Sequence, residues 1–383
     1  MPPSRSSRNS SSVDGRISNT AYYANYHGHQ VQHLVRTKTL LTELYWPERQ
    51  SREDPRPGDK KGGFIYLLGD STLDNKHWLY SNVSMKDIPD TLVRDGLPAC
   101  NGYEQILSRP QRSIPDVAYW LNRAIADSSR ASPSRRSSDS SAPLPHYIAV
   151  NAAVEESTLG QRRRGLLPHD KFVADAFGKE DILLFSCGGN DIALAPGLST
   201  IINIASAVFC ASLFGSREDG YTPGLTHFAE LFGKQTKDFI QNVVWSSGGE
   251  GGGCSTIKPK LIVVCMLYFL DEDSSQYSWA NATLSFLRYN IDPTMLQNFI
   301  RYCFKEGTKN IRVNTSRDTP NDPATEIPVL AVPLFETLDG KDTRDYVARV
   351  EPSVAGGKKL GYALWKVIQE KLKEIDGETP NIN

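Results

Sequence analysis

The chain has 383 residues, 39% of them apolar, and a formal net charge of −1 at pH 7, enough for one large domain or two smaller ones with a sizeable core. The balanced charge argues against a nucleic-acid partner or an anionic membrane surface. Its six cysteines (Cys100, Cys187, Cys210, Cys254, Cys265, Cys303) form no C-x-x-C pair and no Cys/His cluster, which argues against a zinc site and a disulfide framework.

Taken in chain order, residues 1–61 read as a disordered N-terminal tail, rich in Ser and Arg at its start. The tail carries a short helix over 32–45, with Leu34, Leu40, Leu41 and Leu44 on its apolar side, and then a charged linker. No apolar central region of a secretory signal is present, so an intracellular location is expected. The compact domain is expected over 62–376, with flexible insertions at 128–145 and 246–255 and a short tail at 377–383.

Phe64 to Leu68 is a run of five apolar residues, the mark of a strand buried on both faces. Gly69-Asp70-Ser71 follows at once. Pro115-Asp116 opens a helix whose Val117, Trp120, Leu121, Ala124 and Ile125 share one face. Further strands are predicted over 147–150, 181–186, 260–267 and 327–332. Helices are predicted over 198–214, from Thr226, after Asp292-Pro293 and over 355–375. The run 198–214 contains Ser, Thr and Asn and is short for a membrane span, so no span is expected. Arg162-Arg163-Arg164 reads as a solvated loop. Strands alternating five times with helices predict a three-layer α/β/α domain on a five-stranded parallel sheet of flavodoxin-like order.

Three predicted strands end in small polar residues: Ser71, Asn151 and Asn190. In a parallel sheet these ends share one edge, where ligands bind. A serine hydroxyl beside a carboxamide and free backbone N–H groups is what acyl transfer requires: the first attacks, the others hold the developing oxyanion.

On these residues the chain resembles the SGNH (GDSL-type) hydrolase superfamily. Gly69-Asp70-Ser71 matches the first block, with Ser71 at the nucleophile position. Gly188-Gly189-Asn190-Asp191 matches the third, with Asn190 at the oxyanion-donor position. The second block falls on Val150-Asn151-Ala152-Ala153, so the resemblance carries the backbone donor to Ala152. It implies an SGNH-like fold and hydrolysis of a small-molecule, carbohydrate or lipid ester (esterase, lipase or deacetylase class) without cofactor or metal. The fourth block departs from the family. Where the family has Asp-x-x-His, this chain has Ala348 and Glu351, followed by the expected Pro352-Ser353 and Gly356-Gly357. A free carboxylate is a weak base toward a serine, unless burial raises its pKa. Glu351 is therefore the expected atypical base, with Asp345 as its partner. His77 is the histidine nearest Ser71 in sequence, but an offset of six residues turns it to another side. The alternative function is a binding protein of the same fold that has lost catalysis with the histidine. A nucleotide-binding domain is disfavoured, because no phosphate-cradling Gly-rich loop follows the first strand. The oligomeric state is not legible in the sequence.

Overall fold

A computed structural model of the chain describes residues 15–50, 62–80, 83–84, 87–131, 146–193, 225–247, 257–316 and 325–377. The helix expected over 198–214, most of the two insertions, the first fourteen residues and most of the C-terminal tail lie outside the described residues.

Five strands form the central sheet: β1 (Gly62–Gly69), β2 (His146–Asn151), β3 (Ile182–Ser186), β4 (Leu261–Met266) and β5 (Val329–Pro333). They pair in parallel in the order β2-β1-β3-β4-β5, the flavodoxin-like order. Register places Leu67 opposite Asn151 and Gly69 opposite Ser186, so the carboxyl ends of the first three strands form one continuous edge. The fifth strand starts later than the apolar run suggested, because Glu326–Ile327 pairs antiparallel with Val313–Asn314 before the chain enters the sheet.

The period-2 alternation of strand side chains assigns the two covering layers. Ile65, Leu67, Tyr147, Ala149, Leu184 and Val263 face α2 (Val117–Ala131) and α6 (Val354–Ile375). Phe64, Tyr66, Ile148, Val150, Phe185 and Val264 face the other side. That side is covered by α1 (Val31–Tyr45), α3 (Pro168–Ala176), α4 (Thr236–Ser246) and α5 (Pro293–Glu306). The first layer closes tightly because α6 presents glycine. A Cβ on Gly361 would lie 2.6 Å from the Leu121 backbone nitrogen, closer than any real side chain can come.

Two expectations fail. The segment before Gly62 is not a disordered tail over residues 15–50. Leu34, Leu41 and Trp46 are fully buried, and Trp46 meets Phe64 of β1 edge-on at 5.1 Å. Arg49 donates to the Gly62 carbonyl at 2.7 Å. The apolar stripe of α1 therefore belongs to the core of the domain rather than to an appendage. Arg162 is not solvated either. Its guanidinium is buried against Asp170, at 3.0 Å from Nε, and over the Phe239 ring. Arg163 and Arg164 are exposed, as expected of a loop.

Candidate active site

Gly69 ends β1 at φ +137°, and a Cβ there would fall 1.6 Å from the Ser186 carbonyl oxygen. Only glycine lets the chain leave the sheet so close to its neighbour. Leu73 and Asp74 N–H groups bond back to the Asp70 carbonyl, and the Asp70 carboxylate accepts the Thr72 N–H at 3.1 Å. This turn presents Ser71, which is buried. The next two residues anchor it. Asp74 accepts Gly28 N–H at 2.9 Å, Glu155 N–H at 3.0 Å and Lys76 Nζ at 2.5 Å. Asn75 donates to the Pro352 carbonyl at 2.8 Å and accepts the Val117 N–H at 3.2 Å. The loop after β1 is thereby tied to the residue that follows Glu351.

Glu351 lies in a two-residue antiparallel pairing with Val347. The hairpin turns through Ala348 at φ 48° and Arg349 at φ 66°, closed by Val350 N–H to the Val347 carbonyl at 3.3 Å. Two positive-φ residues at a two-residue turn are the type I′ pattern, which glycine and asparagine usually fill. Here the strained conformation is held by the Arg349 side chain, which is buried. Its guanidinium donates twice to the Asp271 carbonyl, at 3.0 and 3.3 Å, and to the Asn281 and Asn290 carboxamides at 3.0 and 2.9 Å. Beyond the turn, Ser353 caps α6 by accepting the N–H groups of Ala355 and Gly356.

The outcome is a contact between two distant parts of the chain. Ser71 Oγ donates to Glu351 Oε1 at 3.2 Å, with both residues buried. That distance is long for a hydroxyl donor, as resting-state contacts of this kind often are. Burial, then the charge of Asp70, raises the Glu351 carboxyl to about 8. Asp70 is itself raised to about 6, chiefly by burial. Glu155 is raised to about 9 by burial and next by Glu351, and it accepts the Trp78 indole N–H. Glu351 Oε2, Asp70 Oδ2 and Glu155 Oε2 are buried with no hydrogen-bond partner among the described residues.

Asn190 lines the same cavity as Ser71 and Glu351. Its carboxamide donates one N–H to the Ser157 carbonyl at 3.2 Å, which leaves the second for a ligand. Ser157 is itself fixed: its hydroxyl bonds the Gly69 carbonyl at 2.9 Å and receives Arg162 Nη1 at 2.9 Å. Asp191 accepts the N–H groups of Leu159 and Gly160 at 2.8 and 3.0 Å, locking the same two segments together. Arg162 and Asp191 thus brace the serine and the carboxamide from behind.

Two expected site residues are not part of this arrangement. The Ala152 N–H donates to the Leu67 carbonyl at 2.9 Å, continuing the β1–β2 ladder, and Ala152 does not line the cavity. An oxyanion donor there would have to break a sheet bond. Asp345 pairs with Lys359 of α6 at 2.6 Å, and the carboxylates that raise Glu351 are Asp70 first, then Asp74 and Glu156. His77 bonds the Asn25 carbonyl at 2.8 Å and packs against Tyr26. Neither it nor His27, His29, His33, His146 or His169 lines the cavity. Among the described residues, no group of three or more His, Cys, Asp or Glu side chains could hold a metal ion, and no helix is long and apolar enough to cross a membrane.

Replacing Arg349 tests the turn. Arg349→Met should lower stability by about 2–3 kcal/mol, because the buried Asp271 carbonyl and two partly buried carboxamides lose a charged donor. The urea midpoint measures it; an unchanged midpoint would mean that the turn holds itself.

No family model matches the sequence, and no curated protein matches it. Among solved structures the chain is similar to Est24, a carbohydrate acetylesterase from Sinorhizobium meliloti, at 8% identity and a TM-score of 0.37, over 81% of this chain and 100% of that one. It is similar to an aryl esterase from M. smegmatis at 11% identity and a TM-score of 0.36, over 81% of this chain and 99% of the other.

Proposed function

We propose that this chain is a serine hydrolase of esters in which Glu351 does the work usually given to a histidine. The observation that carries the reading is the buried hydrogen bond from Ser71 to Glu351, at 3.2 Å, in a cavity that Asn190 also lines. A carboxyl raised to about 8 is as strong a base as an imidazole, so burial supplies the basicity that a surface glutamate lacks. In the ionised form Glu351 takes the Ser71 proton as Oγ attacks the ester carbonyl carbon. The second N–H of Asn190 and the Ser71 N–H stabilise the resulting oxyanion. Glu351 then returns the proton to the departing alcohol, leaving an acyl-serine. Water, deprotonated by the same carboxylate, releases the acid and restores Ser71.

The resemblance of Gly69-Asp70-Ser71 and Gly188-Gly189-Asn190-Asp191 to the SGNH blocks supports the same roles. The engaged Ala152 N–H favours the rival reading, a binding protein of this fold, since it leaves one oxyanion donor fewer than the blocks imply. Hydrolysis of p-nitrophenyl esters at pH 9 separates the two. Turnover lost in Ser71→Ala supports a hydrolase; no turnover by a folded wild type across a broad ester panel supports the binding protein.

A further inference from the structure

Beside Ser71 and Glu351 opens a cavity of about 110 Å³ whose chemistry changes from one wall to the other. Asp70, Ser71, Asn190 and Glu351 reach it from the sheet edge and the last hairpin. The opposite wall is built by residues 279–287 and α5. It contributes the Trp279 ring, Leu284, Leu287, Leu296 and Ile300, with Thr283 as its hydroxyl. Among the described residues no cation lines the cavity, so none of them offers a counter-charge to a sugar phosphate or an acidic acyl group there.

The same segment also exposes large apolar side chains, between exposed Ser285, Arg288 and Asn290. Tyr277 is 82% exposed, Ile291 74% and Phe286 53%, the three most exposed large apolar side chains among the described residues. All three fall within the fifteen residues that also give the cavity Trp279, Leu284 and Leu287, though none of the three lines it.

Resting on the serine-hydrolase reading, we infer that the substrates are esters of apolar carboxylic acids several carbons long, with the acyl chain seated on Trp279, Leu284, Leu287, Leu296 and Ile300. An acetyl group would leave this wall unfilled.

The test is a chain-length series of p-nitrophenyl esters, from acetate through butyrate and hexanoate to octanoate. The value of kcat/KM should rise about three- to tenfold per added methylene until the wall is reached. Leu284→Trp, checked for native circular dichroism, should move the optimum back toward acetate. Turnover in which acetate is the best substrate of the wild type overturns the inference. A second arm does not depend on catalysis. Methyl hexanoate should quench the tryptophan fluorescence of Ser71→Ala at concentrations at least tenfold below those of methyl acetate. If it does so while the wild type hydrolyses nothing, the apolar site stands and the hydrolase reading falls. Equal binding of the two esters overturns the inference, whatever the activity.

Discussion

Ester hydrolysis by this chain should rise with pH, reaching half its plateau near pH 8, where the Glu351 carboxyl ionises. Glu351→Gln should lower kcat by about 10²–10⁴-fold and abolish the pH dependence, since the amide keeps the shape but cannot take the proton. The stability of the fold should move the other way. Glu351, Glu155 and Asp70 all have folded-state values above their ordinary ones, so folding takes up protons. Their contribution is complete below about pH 4 and is lost as pH rises through about 6 to 9. The thermal midpoint should therefore fall over the range in which activity appears, and Glu155→Gln should flatten that fall. The physical conflict is specific: the ionisation that makes Glu351 a base places a charge beside Asp70 in a buried site. A pH–rate profile recorded with circular dichroism at each pH separates the two effects. A rate that peaks at pH 6 and declines before unfolding begins would show that Glu351 is not the base.

Trp46→Ala should cost about 3–5 kcal/mol, a large share of the stability of an ordinary domain. The indole is fully buried between Tyr45, Phe64 and His146, with Arg49 over its face. A chain lacking residues 1–50 should not reach the native state at all. It would expose the side of β1 that Leu34, Leu41 and Trp46 cover, and would lose the Gly28 N–H that Asp74 accepts behind Ser71. Urea unfolding measures the point variant. A native spectrum from the truncated chain would contradict the packing described here.

The sheet was legible because buried strands announce themselves. Phe64 to Leu68 and Leu261 to Met266 are apolar without interruption, and the intervening helices carry a clear 3.6-residue stripe. Strand ends then placed Ser71 and Asn190 on one edge, and the Pro352-Ser353 cap placed Glu351 near them. What the sequence hid has a common physical cause: long-range hydrogen bonds leave no local pattern. Arg349 looks like any charged turn residue, and only the distant Asp271, Asn281 and Asn290 make it a buried clamp. Arg162 sits in a run of three arginines, and one of the three is drawn inward by Asp170 and Ser157. Ala152 follows a strand as an oxyanion donor should, yet the ladder to Leu67 runs two residues beyond the strand expected over 147–150. The N-terminal segment is a different case. The helix itself is legible from Leu34, Leu40, Leu41 and Leu44, but the Ser/Arg-rich start and charged linker give no sign that Leu34 and Leu41 enter the core while Leu44 stays exposed.

The most direct test of the Ser71–Glu351 pair is the rate at which a fluorophosphonate labels Ser71, followed by mass spectrometry of the modified peptide across pH 6 to 10. The reagent needs an activated serine but no particular alcohol or acyl group, so it reads the pair apart from substrate preference. Labelling of the wild type should accelerate through about pH 8, and Glu351→Gln should label at the slow, pH-independent rate of an ordinary serine. Equal labelling of wild type and Glu351→Gln at every pH would contradict the account.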